Sequence, residues 1–562
     1  MLFAFLACLG SPTESASQGP VGDTLVIGQQ SDLASLNPIT AQAAASHNLI
    51  DALNVATLKT SFDCGLKYEP GLASAWSFSE DSTELYMTLR PEARWSDGVP
   101  VTAHDVAFSY GLVANDLVAS PRRPYIEHMQ PEARPEVIDD HHLVFRFTKA
   151  YDRTVMLAHA SDLKLVPRHA LLDADASTLR GHEFSRDPVV TGPWRLVTWE
   201  PNQRLVIEPE PDWWGPAEDR PRLRRVIFKV LPEYATRLME LENGSVDLVE
   251  GIQVEDAERL AEHPDITLHR RGPRSTDFLA WNALDAASYG ETLERLGPDQ
   301  MDWAQVAPHP IFHDKQVRRA MSLAIDVDKL VADLLTDSTG EAYGQRALST
   351  VSPAICGSHN DSIEPLPHDP ARARQLLAEL GWGDSDGDGV LDKDGRPFAF
   401  TLLTNSGNPR RAKAAIIIQA NLAEIGVDVQ IEKLESNTFF SRLRKKDYEV
   451  ALSGWSASTW VDMSSLWHSG HRYAQNYPNY SNPQVDELIE QALATPDPAE
   501  TERLWNEVQA LVYEDQPYTF LYWRDEIVGL SSRFEDAQVD FLYPFDRLER
   551  WSVAPDKVKY TR

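Results

Sequence analysis

Between Asp384 and Gly395 the chain reads DSDGDGVLDKDG. Asp384, Asp386 and Asp388 stand at alternate positions, Gly389 turns the loop, Val390 offers a carbonyl and Asp392 holds the ninth place. This is the first half of an EF-hand-like loop, in which hard oxygen donors converge on calcium. The pattern departs at the twelfth place, where Gly395 replaces the bidentate glutamate. A shorter D-x-D-x-D-G-x-x-D site is still sound chemistry, because carboxylates this close repel unless a cation joins them. A solvated acidic turn between the helix LLAELGW and the strand FAFTLL accounts for the same residues. Both readings stand on the sequence. A calcium ion here would be structural, with no cofactor required for function.

Other chemistry is sparse. No H-E-x-x-H, Walker A or G-x-G-x-x-G run occurs. His141 and His142 are neighbours on a strand, so they point to opposite faces and make a poor metal pair. The 16 histidines scatter along the chain, and 85 acidic residues make chance neighbours without selecting a glycosidase pair. An enzyme is therefore not expected. Of the three cysteines, Cys64 and Cys356 either pair in an oxidising compartment or stay as two buried thiols.

With 562 residues, 42% hydrophobic and 25% charged, the chain can bury a sizeable core in more than one domain. Its net charge of −32 argues against nucleic acid and anionic membrane as partners, since both reward basic patches. No run reaches the roughly eighteen apolar residues of a membrane span. The start, MLFAFLACLGSPTESASQGP, is similar to the end of a bacterial lipoprotein signal, with Phe5-Leu6-Ala7 before Cys8. It lacks a basic n-region, and Phe5 stands where leucine is usual. Residues 1–21 are expected to be an export tail, with lipid on Cys8.

The elements that must position any site follow from local patterning. RWSDGVPVTAHDV, Arg94 to Val106, places the turn Asp97-Gly98 before a helix whose start carries Thr102 and Asp105. TLVIGQ, HLVFRFT and RVIFKVL read as strands, and GPWRLVTWEPNQRLVIEPEP as a hairpin around Pro201-Asn202. YATRLMELENGSVDLVE reads as a helix stopped near Gly244 and followed by a strand. In the second half, DKQVRRAMSLAIDVDKLVADLL puts Val317, Ala320, Met321, Ala324 and Ile325 on one helical face. DPARARQLLAELGW has Asp369 as cap, Pro370 in the first turn and Gly381 as stop. Strand–helix–strand units in both halves argue for mixed α/β domains.

Four blocks, in order, resemble one family. YEPGLASAWSFSEDSTELYMTLRPEARWSDGVPVTAHDVAFSY (Tyr68 to Tyr110) is similar to the signature of the peptide/nickel class of bacterial extracellular solute-binding proteins, family 5, the receptors of ABC importers. Thr191 to Gly215, Val317 to Val331 and Asn476 to Ala492 resemble its later blocks. The resemblance implies an α/β, two-lobed periplasmic-binding-protein fold (type II, cluster C) with a subdomain inserted in lobe I. Lobe I is expected at 22–60, 188–272 and 524–562, the inserted subdomain at 61–187, and lobe II at 273–523. The Trp95 turn and its helix then belong to scaffold.

The resemblance also implies a role and a site. The expected protein is a monomeric periplasmic or cell-surface receptor that captures a small peptide by lobe closure and hands it to ABC permease subunits. Nickel chelate, haem or oligosaccharide are the other cargoes of the same role. A secreted hydrolase is the reading from a different class, and nothing places a nucleophile at the cleft for it. In relatives, ligand is often held after a strand ending in Gly-Trp, here Gly454-Trp455, and in the peptide-binding branch an aspartate there pairs with the α-ammonium. Ungapped counting puts Ser458 at that place, and the nearest carboxylate is Asp462, seven residues past Trp455. Either a short insertion moves the anchor to Asp462 or the anchor is missing. Trp455, Trp460 and Trp467 are candidate cleft walls. Ser456, Asn476, and Phe278, Trp281 and Asn282 of DFLAWN complete the expected set. Leu33 and Ser35 of SDLASLNP are expected to pair with an extended peptide as an added strand would.

Overall fold

A computed structural model describes residues 23–41, 44–126, 128–130, 134–297, 300–457, 461–472 and 475–560. Two long antiparallel strands, Ile266–Trp281 and Tyr518–Ser531, run side by side through the middle of one large mixed sheet. At one end the second strand pairs with Leu248–Ile252, and the sheet continues through Thr24–Gln29, Arg225–Val230 and the hairpin Arg204–Pro209/Trp194–Glu200. At the other end Ser275–Trp281 pairs with Val450–Ser456, followed by Ala399–Asn405 and Asp428–Leu434. The molecule is thus two α/β lobes strung on two strands. Their ladder breaks register between Arg271 and Pro273 and again between Pro273 and Ser275, opposite Asp525 and Arg524. Pro273 has no N–H to give the ladder, so a break there is the expected result of its chemistry.

A separate four-stranded antiparallel sheet, Ala73–Phe78, Glu84–Leu89, His142–Arg146 and Glu136–Val137, carries the helices Ala103–Ala114 and Arg153–Ser161. Its local chemistry follows the sequence. Gly98 turns with φ +87°, Trp95 N–H donates to Val99 O at 2.8 Å, and Trp95 itself is buried. Asp105 accepts from Thr102 N at 2.8 Å and from Arg168 N at 2.9 Å, so one carboxylate caps its own helix and holds the start of the short helix Arg168–Leu171. The helix Pro370–Glu379 starts on Asp369, whose side chain accepts from Arg372 N.

One expected helix is two. Lys315–Ala324 ends with Ile325 in extended conformation, and Val327–Leu335 starts afresh on Asp326, which accepts from Lys329 N at 2.9 Å. An aspartate flanked by β-branched residues stabilised an N-cap rather than helical continuity.

Covalent and polar ties span the lobes. Cys64, at the tip of the hairpin Leu58–Phe62/Leu66–Pro70, is disulfide-bonded to Cys356, with Cα atoms 5.2 Å apart. Cys356 N–H also donates to Cys64 O at 2.7 Å. His128, next to the four-stranded sheet, faces Asp462 of the second lobe at 3.9 Å.

Candidate functional site

Where the two lobes and the four-stranded module meet lies a cavity of about 430 Å³. Pro38 and His47 reach it from the first lobe, Arg122, Tyr125 and Lys164 from the module, and Ser456 from the second lobe. Its inner wall is the break in the long strands: Arg271, Arg274 and Ser275 on one, Arg524 and Glu526 on the other. A second cavity of about 490 Å³ shares Asn48, Asp51, Thr60, Lys164 and Tyr543 with it. This chamber continues under the Leu58–Phe62 hairpin towards Arg547 and Arg550. Each volume falls in the range of roughly 300–1,000 Å³ common for small-ligand sites.

The walls are charged to a degree unusual for a buried surface. Burial works against the Lys164 ammonium, but Asp51 at 2.8 Å and the Tyr543 phenol beside it keep it charged. Burial, with the Arg122 charge, pushes His47 down to about 4, so its neutral ring accepts from Arg122 Nη2 at 2.6 Å. Asp162, held in the interior, is pushed up to about 6 by desolvation. Glu250 rises to about 7, because it is desolvated and lies beside Glu526, with Arg271 opposing the shift. Arg271 donates to Glu526 at 2.8 Å and spends its remaining donors on the carbonyls of Asp540 and Leu542. Beneath this wall Asp277 is buried. Desolvation alone would raise it, yet Arg410 and Arg411, each donating two bonds to the carboxylate, hold it far below its usual range.

Of the residues expected from sequence, Ser456 lines the cavity. Trp455 is half-buried beside it, stacked on Phe278 and Tyr477, and donates to Tyr518 Oη at 3.3 Å. Several others are interior scaffold instead. Phe278 stacks on Tyr518 with ring centres 3.9 Å apart, and Trp281 packs on Phe312 while donating to Thr519 Oγ1 at 3.0 Å. Asn282 spends its amide on the carbonyls of Lys446 and Tyr448, and Asn476 on Tyr480. Trp467 is buried against Tyr518 and donates to Thr350. Leu33 is buried in the first lobe's core, and Ser35 Oγ accepts from Asn37 N, so the cavity contact from that loop is Pro38. The physical reason is common to all six buried side chains: each sits on an element whose apolar face or polar network is completed by protein. Ser458 and Trp460 lie outside the described residues.

Asp462 lines neither cavity. Burial would raise it, but the His128 ring 3.9 Å away and a hydrogen bond from Ser464 N–H hold it below its ordinary value.

The acidic loop is folded as a tight nest. Asp384 accepts from Gly387 N and Gly389 N, Asp386 from Asp388 N, Asp388 from Val390 N, and Asp392 from Ser385 N at 2.8 Å. Ligand oxygens of Asp384, Asp386 and Asp388 lie within 4.8 Å of one another on the surface. The donor set suits calcium, which takes carboxylate oxygens in flexible geometry. Gly383 to Gly387 also spells G-x-S-x-G, but Ser385 sits in this exposed loop rather than on a strand-to-helix elbow.

The residues that sequence reasoning missed are the hinge-wall charges. The signal was present: HRRGPRST and YWRDE put arginines inside long strands, where a charge must meet a partner or a ligand.

A cavity walled jointly by two lobes that share two strands defines a two-lobed solute-binding protein. The family model for bacterial extracellular solute-binding proteins, family 5, matches residues 67–477, and the chain belongs to this family. It is 25% identical to the oligopeptide-binding protein AppA of Bacillus subtilis over 559 residues, 98% of this chain and 96% of that protein. The structure of AppA with a nonapeptide matches with a TM-score of 0.80 at 24% identity, covering 95% of this chain and 99% of that one. NikZ of Campylobacter jejuni, solved with Ni(L-His), matches with a TM-score of 0.77 at 21% identity, covering 94% and 99%. These structural likenesses show the fold. Among the described residues no helix is long and apolar enough to cross a membrane.

Proposed function

We propose that this protein is the receptor of an ABC importer, held at the cell surface through Cys8, and that it captures short peptides between its lobes for delivery to the permease. One observation carries the reading: a single cavity is lined by Pro38 and His47 of one lobe, Ser456 of the other and the strands between them. A ligand seated there touches every moving part at once, so binding favours the closed arrangement by its differential contacts. The two cavities adjoin at Asn48, Asp51, Thr60, Lys164 and Tyr543, which places a second chamber beside the first for a longer ligand. The nonapeptide bound by AppA supports peptide as the cargo class. The acidic loop takes calcium as a structural clamp, and the cavity works without it.

The test is small-angle scattering with and without a peptide mixture, alongside native mass spectrometry of protein purified without refolding. A smaller radius of gyration with peptide, and copurified peptide masses, are expected. Identical scattering at saturating peptide overturns lobe closure.

A further inference from the structure

We propose that the Cys64–Cys356 bridge is a redox modification site that latches the cavities. Oxidised, it pins to the second lobe the hairpin that walls both of them; a dithiol that reduces it frees this wall and speeds the exit of bound ligand. The exit rests on the reading that the cavities bind peptide, whereas the latch does not. Both cysteines are exposed, so a thiolate reaches the bridge from solvent. Exposure is what separates labile disulfides from inert structural ones.

The two ends of the bridge are held unequally. Cys356 lies in a segment fixed on both sides. Ser352 Oγ donates to Pro273 O at 2.6 Å, and Gln509, on the helix Pro498–Asp515, donates to Ser358 O at 2.8 Å. Cys64 is at the tip of the hairpin Leu58–Phe62/Leu66–Pro70, which forms a two-stranded sheet of its own. Such a hairpin is marginal alone and depends on what it leans on. Leu72 N–H donates to Ala56 O at 2.9 Å at its base, and Phe62 stacks on Phe541. The ion pairs Lys59–Asp219 and Glu69–Arg547 are long, 3.7 Å each, and partly solvated, so they add little. At the tip Cys356 N–H donates to Cys64 O at 2.7 Å, a surface bond for which water competes. Yet this thinly held hairpin gives Leu58 and Thr60 to one cavity, and Lys59, Thr60, Glu69 and Pro70 to the other. Segments held this way open locally at little cost, and a covalent tie at the tip removes that freedom. Reduction balances as an exchange. One thiolate of the dithiol attacks a bridge sulfur, the Sγ–Sγ bond breaks and a mixed disulfide forms. The second thiol then displaces it, leaving two protein thiols and an oxidised dithiol.

The experiment compares the oxidised protein, the same protein in dithiothreitol, and the Cys64→Ser, Cys356→Ser double variant. Alkylation and peptide mapping read the state of Cys64 and Cys356. Hydrogen exchange followed by mass spectrometry should show the amides of residues 58–70 exchanging on the order of tenfold faster after reduction, with the helix Pro498–Asp515 changed by less than about threefold. The double variant should behave as the reduced protein and ignore dithiothreitol. A mixture of four-residue peptides, bound first and then diluted, should leave the reduced protein about threefold faster or more. A bridge that dithiothreitol reduces only once the protein unfolds overturns the modification site. Unchanged exchange in the hairpin, or equal acceleration in hairpin and helix, overturns the latch. A freed hairpin with unchanged peptide release overturns the control of exit and leaves peptide binding standing. Retention of no peptide by the oxidised protein overturns peptide binding and the exit with it, and the hairpin exchange still decides the latch.

Discussion

Replacing both Cys64 and Cys356 by serine tests how the lobes are tied. The bridge joins residues 292 apart in sequence, so in the unfolded chain it closes a loop of that size. Chain entropy grows as 1.5R ln n, which for such a loop gives a stabilisation of about 5–6 kcal/mol at 25 °C, while removal of native bridges typically costs ~2–5 kcal/mol. The position adds to this. Cys356 lies in a segment anchored to the helix Pro498–Asp515 of the second lobe, where Asn360 donates to Asn506 O at 2.8 Å and to Gln509 Oε1 at 3.2 Å. Cys64 sits on a hairpin whose Phe62 stacks at 4.3 Å on Phe541, next to the hinge arginines of the first lobe. The bond therefore ties the Leu58–Phe62 hairpin to the second lobe.

Thermal unfolding by calorimetry, with the intact bridge confirmed by mass under non-reducing conditions, reads the effect. At about 2–4 °C per kcal/mol for a cooperative unit of 150–250 residues, the double variant should melt on the order of 5–15 °C lower. Since the staple couples the lobes, its loss should also split one transition into two. A bridged parent and a double variant that melt within ~1 °C of each other, with one transition each, would refute the argument.

Glu250 binds a proton in the folded state that the unfolded chain has already released, so stability should fall as pH rises from 4.5 to about 7 and stay level above that. Glu250→Gln should flatten that slope in urea titrations across the window, and an unchanged slope counts against the assignment. Calcium should raise the melting temperature of the parent by mass action, and the Asp386→Asn, Asp388→Asn double variant should lose that rise; a parent that melts alike in calcium and in chelator makes the loop an acidic turn only. Because Asp462 is already engaged by Ser464 N and faces His128, N-acetylation of a bound peptide should change its affinity by less than about threefold, and a loss of tens-fold would restore Asp462 as the amine anchor.

Local order was legible wherever one residue type decides one geometry. The Asp97-Gly98 turn, the Thr102–Asp105 cap, the Asp369-Pro370 helix start and the hairpin around Asn202, which adopts φ +58°, all follow from side-chain or backbone chemistry within a few positions. The break at Asp326 was missed for the converse reason, since a continuous apolar stripe does not reveal that a capping aspartate competes with it. The Cys64–Cys356 pairing was beyond local reading, because only the meeting of two lobes brings those hairpin and loop tips together.

The site was less legible than the fold, and the aromatic residues show why. Tryptophan, phenylalanine and tyrosine serve a core and a ligand wall by the same apolar contact, so Phe278, Trp281 and Trp467 gave no sign in sequence of facing protein. Charge is a more selective guide, because a guanidinium in a strand interior cannot be left to generic packing. Arg271 finds Glu526, and Arg410 and Arg411 find Asp277, whereas Nε of Arg524 finds no acceptor among the described residues. Following which buried charges the fold satisfies is therefore a second guide to the site beside the aromatics, although Nε of Arg224, Arg346 and Arg472 also lacks an acceptor among the described residues. In this protein it moves attention from the Gly454-Trp455 segment to the wall where Arg274 and Arg524 meet the cavity.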